Sequence, residues 1–147
     1  MKCRDYELAT SDVLEWPVPD DLSIVFMYCP FLRDVFSDAM ERLCASYDRN
    51  PRPLKILYAY PWEHHRLLAT RRVELVDIHP AQWPARPWWP ASGWVIPTYR
   101  VVPDGAAVQI NHSALSPLRR QALRRWSVPN DQRFRLSRPG FATVSSR

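Results

Sequence analysis

The chain is short of glycine: only three of its 147 residues are glycine, at positions 93, 105 and 140. Glycine lets a backbone approach a phosphate or a cofactor closely, so few positions here suit such an approach. None of the three lies in the first half of the chain, which excludes a glycine-rich nucleotide-binding loop there. The chain has fifteen prolines, and two of them, Pro30 and Pro61, lie where an apolar run ends.

Cysteine is also scarce, and its placement indicates no disulfide framework. Cys3, Cys29 and Cys44 are odd in number and irregular in spacing, so we expect reduced thiols in a cytoplasmic protein. No apolar run approaches the roughly 20 residues that a membrane span needs, and the N-terminus has no signal-peptide pattern. The histidines and cysteines match no zinc spacing, so we predict no metal site.

Acidic residues become rare toward the C-terminus. From Asp104 onward, eight arginines accompany two aspartates, which gives that segment a charge of +6, whereas the preceding residues sum to −1. We therefore predict one domain over residues 1–103 and an arginine-rich extension over 104–147. Leu115, Leu118, Ala122 and Trp126 predict one amphipathic helix in the extension, followed by a disordered tail. Arginine-rich tails can bind nucleic acid, although arginine without lysine also follows from a GC-rich genome.

The most informative apolar run extends from Leu22 to Phe31 and ends in Tyr28-Cys29-Pro30-Phe31. A short run that is apolar on both faces predicts a central strand of a parallel sheet. Pro30 cannot donate to a sheet ladder, so the strand should end near Cys29. Ligands of open α/β sheets bind at the carboxyl ends of such strands, which makes the last four residues a candidate site. The alternative is a strand terminator with core aromatics.

Further elements alternate along the chain. Apolar residues at helical spacing, from Val35 to Cys44, predict a helix over Leu32–Tyr47. A strand (Leu54–Tyr60), a short helix (Trp62–Ala69) and two more strands (Val73–Ile78 and Trp94–Val102) follow. This order predicts an α/β fold with a partly parallel sheet whose last two strands are antiparallel neighbours. Pro97 indicates an edge position or a bulge in the last strand.

Three polar or aromatic residues follow the second predicted strand at its carboxyl end: Trp62, Glu63 and His64. We expect them either to line a substrate pocket or to pack against and cap the next helix. The tryptophans and prolines of residues 79–93 either cover a sheet edge, which we favour, or stack on bases or sugars. Cys29 is the only nucleophile with a suitable placement, and a small buried thiol is its simpler role.

Part of the chain resembles a known family. The run W-P-V-P-D-D-L-S-I-V-F-M-Y-C-P-F, a helix, R-P-L-K-I-L-Y-A-Y-P, a second helix and V-E-L-V-D-I are similar to the C-terminal half of class I S-adenosylmethionine-dependent methyltransferases. The resemblance extends from about Tyr6 to Val102. It implies a partial Rossmann-like sheet that ends with an antiparallel strand between two others, and it implies S-adenosylmethionine as the cofactor.

The resemblance also implies roles for particular residues. Asp12 would contact the adenine of the cofactor, and Tyr28, Cys29, Pro30 and Phe31 would form a wall beside the transferred methyl group. Cys29 departs from the family pattern, in which Asn or Asp is frequent at this position, so a hydrogen bond to a substrate amine is not expected from it.

Two features of the family are missing: the glycine-rich loop and the acidic residue that holds the ribose. Without the strands that carry them, Leu22–Tyr28 would be an unpaired apolar edge of the sheet. We therefore expect a truncated methyltransferase-like fragment that is inactive alone and that either self-associates or joins a missing N-terminal half. The alternative is a non-enzymatic α/β module that binds nucleic acid or a protein partner through its basic tail.

Overall fold

The computed structural model describes residues 5–80 and 95–108. Within them, the chain forms β1 (Ile24–Tyr28), α1 (Arg33–Arg49), β2 (Lys55–Ala59), α2 (His64–Ala69), β3 (Val73–Pro80) and β4 (Val95–Val101). The predicted α/β class is confirmed. Every one of these elements was predicted from the sequence, with ends displaced by no more than two residues, a shift that is common at element termini.

The four strands form one mixed sheet in the order β1-β2-β4-β3. β1 and β2 are parallel, whereas β4 is antiparallel to both β2 and β3. The prediction that the last two strands are antiparallel neighbours is confirmed, and the last strand lies between two others as expected. Because β1 and β2 are parallel, their carboxyl ends meet at the same edge of the sheet.

β1 is the first strand of the sheet in the described residues, and one of its faces is open. Ile24, Phe26 and Tyr28 are 57%, 60% and 54% exposed, whereas Met27 on the opposite face is buried in the core. The expectation of a central strand covered on both faces is therefore wrong, and the unpaired apolar edge is confirmed for the described residues. One face of β1 is open because α1 and α2 both pack in the core cluster that contains Met27, on the other face of the sheet.

The core lies between the sheet and the two helices. α1 contributes a continuous buried face, which consists of Phe36, Ala39, Met40, Leu43, Cys44, Ser46 and Tyr47. The Phe36 ring stacks on Tyr58 of β2 with the ring centroids 5.5 Å apart. Val35, which the helical spacing placed among the apolar residues, is 41% exposed, because it lies at the margin of the buried stripe.

Pro97 occupies an interior strand, so the prediction of an edge position is wrong. β4 pairs with β2 only through Thr98, Tyr99 and Arg100. Pro97 therefore lies beyond the β2 pairing, where no backbone donor is required on that side. The register shift in this part of the sheet falls between Leu75 and Asp77 of β3 rather than at the proline, where Pro97 still aligns with Ile78.

Arg52 holds the amino edge of β1 and β2 in place. Its Nε donates to the carbonyl oxygen of Leu22 at 2.6 Å, and its Nη2 donates to the carbonyl oxygen of Pro19 at 3.1 Å. Its Nη1 and Nη2 also bond the backbone and the hydroxyl of Ser46, at 3.0 Å and 2.9 Å. One guanidinium group thus connects the turn before β1, the end of α1 and the start of β2.

Two predicted regions lie outside the described residues. They are most of the tryptophan- and proline-rich connection, at residues 81–94, and the arginine-rich extension beyond Val108. In the described part of the chain, neither helix has the length and apolar character that crossing a membrane requires.

Candidate functional site

The candidate site is formed by the two loops that follow β1 and β2. Cys29 and Tyr60 are the first residues after these strands, and both have a left-handed backbone conformation, with φ of 43° and 52°. A proline follows each of them. Non-glycine residues rarely adopt positive φ, and when they do, the surrounding structure has to hold them there. The Cys29 N–H donates to the carbonyl oxygen of Ala59 at 3.2 Å, which joins the two loops at their start.

Two tyrosines, the exposed Tyr28 and the half-buried Tyr60, pack against each other at this edge. The rings of Tyr28 and Tyr60 are 4.8 Å apart between centroids and inclined by 57°, a tilted geometry that suits the quadrupoles of aromatic rings. Burial, and next a hydrogen bond with Tyr28, raise the pKa of Tyr60 above its ordinary value. The Tyr60 phenol is therefore protonated at neutral pH. A protonated phenol cannot act as a base.

The other residues of the predicted methyl-transfer wall differ in exposure. Phe31 is half-buried and packs against the core residue Phe36, with ring centroids 6.3 Å apart. Pro30 is exposed, and Cys29 is half-buried. The structure thus exposes Tyr28 and Pro30 at the edge, leaves Cys29 half-buried and packs Phe31 against the core. The role of the four residues in methyl transfer stays a prediction.

The Cys29 thiol lies in surroundings that disfavour its ionised form. Burial raises its pKa, and the negative charge of Glu63 raises it further. A nucleophilic cysteine requires the opposite, because the thiolate is the reactive species. The small half-buried thiol is the better description of this residue.

The buried side chain of Glu63 connects the loop that follows β1 with the loop that follows β2. It is only 2% exposed, and its Oε1 accepts a hydrogen bond from the backbone N–H of Arg33 at 3.2 Å. Its Oε2 pairs with Nε of Arg66 at 3.1 Å, and its own N–H donates to the Tyr58 hydroxyl at 3.3 Å. Arg33 begins α1 and has a φ of 56°. The buried carboxylate therefore fixes the end of the loop that starts at Cys29.

His64 and Trp62 have different environments. His64 is fully buried, and its Nδ1 bonds the hydroxyl of Tyr99, which connects α2 to β4. Trp62 is half-buried. Of the three residues predicted to line a pocket, Glu63 and His64 face the interior and have structural contacts, and lining of a substrate pocket by the three stays a prediction.

Asp12 lies in a turn that precedes β1. Its Oδ1 accepts the backbone N–H of Leu14 at 2.8 Å, and its carbonyl oxygen accepts the N–H groups of Glu15 and Trp16. The turn is attached to α1 by Arg42, whose Nη2 donates to the Trp16 carbonyl oxygen at 3.1 Å. Asp12 thus shapes its own turn, and its contact with adenine stays a prediction.

Sequence reasoning missed two residues of this edge, Tyr60 and Arg66. A signal for Tyr60 was available, because Tyr60-Pro61 repeats the arrangement of Cys29-Pro30 at the end of the neighbouring strand, and a residue before proline has a restricted backbone. No local signal indicated Arg66. Among the residues that the structure describes, no three His, Cys, Asp or Glu side chains lie close enough together to hold a metal ion.

Comparisons of the chain with protein-family models, with curated proteins and with solved structures find no match.

Proposed function

We propose that the chain is the C-terminal half of a class I S-adenosylmethionine-dependent methyltransferase-like domain, which supplies the acceptor side of a methyl-transfer site and is inactive alone. The strand order β1-β2-β4-β3, with an antiparallel β4 between β2 and β3, carries this proposal. It is the order that the resemblance implies, and a plain succession of parallel β-α-β units would not produce it.

The second support is the position of the candidate residues. Tyr28 and Tyr60 lie at the shared carboxyl edge of two parallel strands, where open α/β sheets bind their ligands. Their tilted rings offer an apolar surface. Glu63 fixes the loop behind them, so the wall is held before a ligand arrives, which is how an enzyme lowers the entropic cost of positioning reactants.

The residues for S-adenosylmethionine itself are incomplete. Asp12 is exposed, and one of its carboxylate oxygens already bonds its own turn, which leaves the other for an adenine amino group. Gly105 is the one glycine in the described residues, and it follows β4, the antiparallel strand that starts at the carboxyl edge of β1 and β2 and ends at their amino edge. The described residues therefore do not form a whole cofactor site, and we derive no transfer step from them.

The first experiment is the intact mass of the protein purified from its source cells. The proposal expects a mass well above 17.3 kDa, the mass of this chain, and an added segment that contains a glycine-rich loop. The longer protein should bind S-adenosylhomocysteine in calorimetry, and Asp12→Asn should weaken that binding about tenfold, the effect of roughly one lost hydrogen bond. A longer protein that lacks a glycine-rich segment or binds no S-adenosylhomocysteine would contradict the proposal.

The alternative is a non-enzymatic α/β module, and the charge distribution favours it. Residues 109–147 contain eight arginines and one aspartate. If this segment neutralises several phosphates, binding to single- or double-stranded DNA should weaken steeply and log-linearly with salt concentration. Binding that does not weaken between about 50 and 200 mM salt would exclude this function.

A further inference from the structure

The face of the sheet opposite the helices carries exposed aromatic rings on β1. Phe26 and Tyr28 lie two residues apart on this face and are 60% and 54% exposed, whereas Met27 between them is buried in the core. Two residues of a strand span about 7 Å, so the two side chains are neighbours. Single exposed apolar side chains are ordinary, but a contiguous group of them indicates a binding surface.

The Tyr28 ring packs against a residue of the loop that follows β2. Its partner, Tyr60, is half-buried, and Pro61 restricts the backbone of Tyr60. A side chain that is ordered before a ligand arrives loses less conformational freedom on binding. Tyr28 therefore offers a ring surface that is already in position.

Two cationic side chains share this face with the aromatic rings. Ile24 of β1 aligns with Lys55 of β2, and Lys55 aligns with Arg100 of β4. Aligned residues lie on the same face of a sheet, and both cations are exposed. Because neighbouring strands are about 5 Å apart, Lys55 lies within reach of a ligand that covers β1.

Acidic side chains of the sheet lie away from the two rings. β1 contains none, and Asp20, which precedes it, bonds Arg49 of α1 on the helix side of the sheet. The acids of the open face, Glu74 and Asp77, lie on β3, the strand farthest from β1, and Glu74 pairs with Arg100. Among the residues of the sheet, the charge nearest to the rings on this face is therefore that of Lys55.

We propose that Phe26, Tyr28 and Lys55 bind single-stranded nucleic acid, with bases stacked on the two rings and a phosphate at Lys55. We call these three residues the stacking face. A four-stranded sheet with exposed aromatic rings is one of the common surfaces on which proteins stack the bases of single-stranded RNA. The inference goes beyond the proposed function and does not depend on it, and it differs from phosphate binding by the arginine-rich segment because it requires unpaired bases.

A second copy of the chain fits the stacking face less well. Face-to-face packing of two copies would bring Lys55 of both chains into an apolar contact, where burial of an ammonium group costs free energy. A nucleic-acid strand places a phosphate near this group instead. Sedimentation velocity of the same protein separates the two cases.

The test is fluorescence anisotropy of the full 147-residue chain with labelled oligouridine, oligothymidine, an abasic strand of the same length and a duplex. The comparison of oligouridine with oligothymidine identifies the preferred sugar. We expect the preferred single strand to bind about tenfold more tightly than the abasic strand and the duplex, since stacking of one base contributes about that much. Phe26→Ala, at an exposed position, should weaken binding of that strand about tenfold and leave binding of the duplex unchanged.

Matched variants serve as controls for the loss of a ring and of a charge. Tyr6→Ala removes an exposed tyrosine that lies outside the sheet and should leave the affinity unchanged. Lys55→Gln should reduce the salt dependence of the affinity by about 0.7 in log-log slope, the share of one phosphate on a single strand. Arg71→Gln, which removes an exposed charge in the turn before β3, should leave that slope unchanged.

Four outcomes would overturn the inference. Equal affinity for the single strands, the abasic strand and the duplex would assign the binding to phosphates alone. An unchanged affinity of Phe26→Ala would exclude stacking on β1. Absence of binding to both single strands at about 50 mM salt, where phosphate contacts are strong, would exclude a nucleic-acid ligand. Dimerisation that Phe26→Ala abolishes, without binding of the oligonucleotides, would assign the stacking face to a second copy.

Discussion

The two edges of the sheet are built in opposite ways. β3 carries Glu74 and Asp77, and its pairing with β4 has a register shift between Leu75 and Asp77. β1 consists of Ile-Val-Phe-Met-Tyr, without a charge, a proline or a register shift in its pairing with β2. Charges and bulges are the means by which proteins keep an edge strand from pairing with other chains. β3 therefore has the properties of a final edge, whereas β1 has those of a strand that another segment accompanies.

The difference places the candidate site on the unprotected side. Tyr28 is the last residue of β1. It belongs both to the exposed apolar side of this strand, with Ile24 and Phe26 (the apolar face), and to the tyrosine pair with Tyr60. Whatever covers the apolar face also borders the carboxyl edge where a ligand would bind. A segment that covers β1 would thus also help to complete the candidate site.

The largest expected effect separates the two faces of β1. Met27→Ala removes a buried side chain and should lower the free energy of unfolding by about 3 kcal/mol, the usual cost of such a cavity. Phe26→Ala on the apolar face should cost about 1 kcal/mol or less, as exposed positions do. Urea unfolding of both variants measures the difference, and equal losses would show that the two faces are equally buried.

A smaller loss of stability is expected at the carboxyl end of β1. Glu63→Ala leaves the backbone N–H of Arg33 and the Arg66 guanidinium without their acceptor, and the free energy of unfolding should fall by about 2 kcal/mol. Glu63→Gln keeps an acceptor oxygen for Arg33 and should lose about half as much. Urea unfolding again provides the measurement. If both variants unfold like the parent chain, the two loops are not held together by this carboxylate.

The edges themselves are compared by adding a charge to each. Ile24→Lys places a lysine on the unprotected edge, and it should weaken self-association about tenfold, since like charges would meet in any pairing of two β1 strands. Val76→Lys, on an edge that already carries charges, should change it less than twofold. Sedimentation velocity over a concentration series measures both. An equal effect of the two lysines would remove the distinction between the edges.

The smallest effect concerns the residue that follows β1. Burial, and next the carboxylate of Glu63, raise the pKa of Cys29, so the folded chain keeps this thiol protonated to higher pH than the unfolded chain does. Glu63→Gln removes the negative charge, lowers the pKa and should raise the rate of Cys29 alkylation at pH 8 about threefold. Burial raises the pKa of Cys44, and Glu63 is not among the charges that act on it, so Cys44 serves as the internal control. An unchanged rate at Cys29 would show that Glu63 does not influence the thiol.

The sequence predicted the helices and strands well, but it did not predict which of their side chains are buried and which are exposed. Apolar spacing identified α1 and all four strands, because local periodicity depends on which side of an element faces a core. It could not show that Phe26 is exposed, since an apolar side chain looks the same in a core and on an uncovered face. The contact of Glu63 with the Arg33 backbone was also beyond reach, because it joins two loops that only the parallel pairing of β1 and β2 brings together.

The place of β4 in the sheet has a consequence for the order in which the chain can fold. β3 is completed at Pro80, yet in the described part of the chain its only strand neighbour is β4, which begins at Val95. On the ribosome, the first four elements (β1, α1, β2 and α2) can therefore pack as they emerge. β3, in contrast, can pair only after β4 has been synthesised. Contacts between segments distant in sequence form slowly and leave strands exposed in the meantime. The second half of the sheet should thus form late and as a unit, with β3 and β4 joining β2 together.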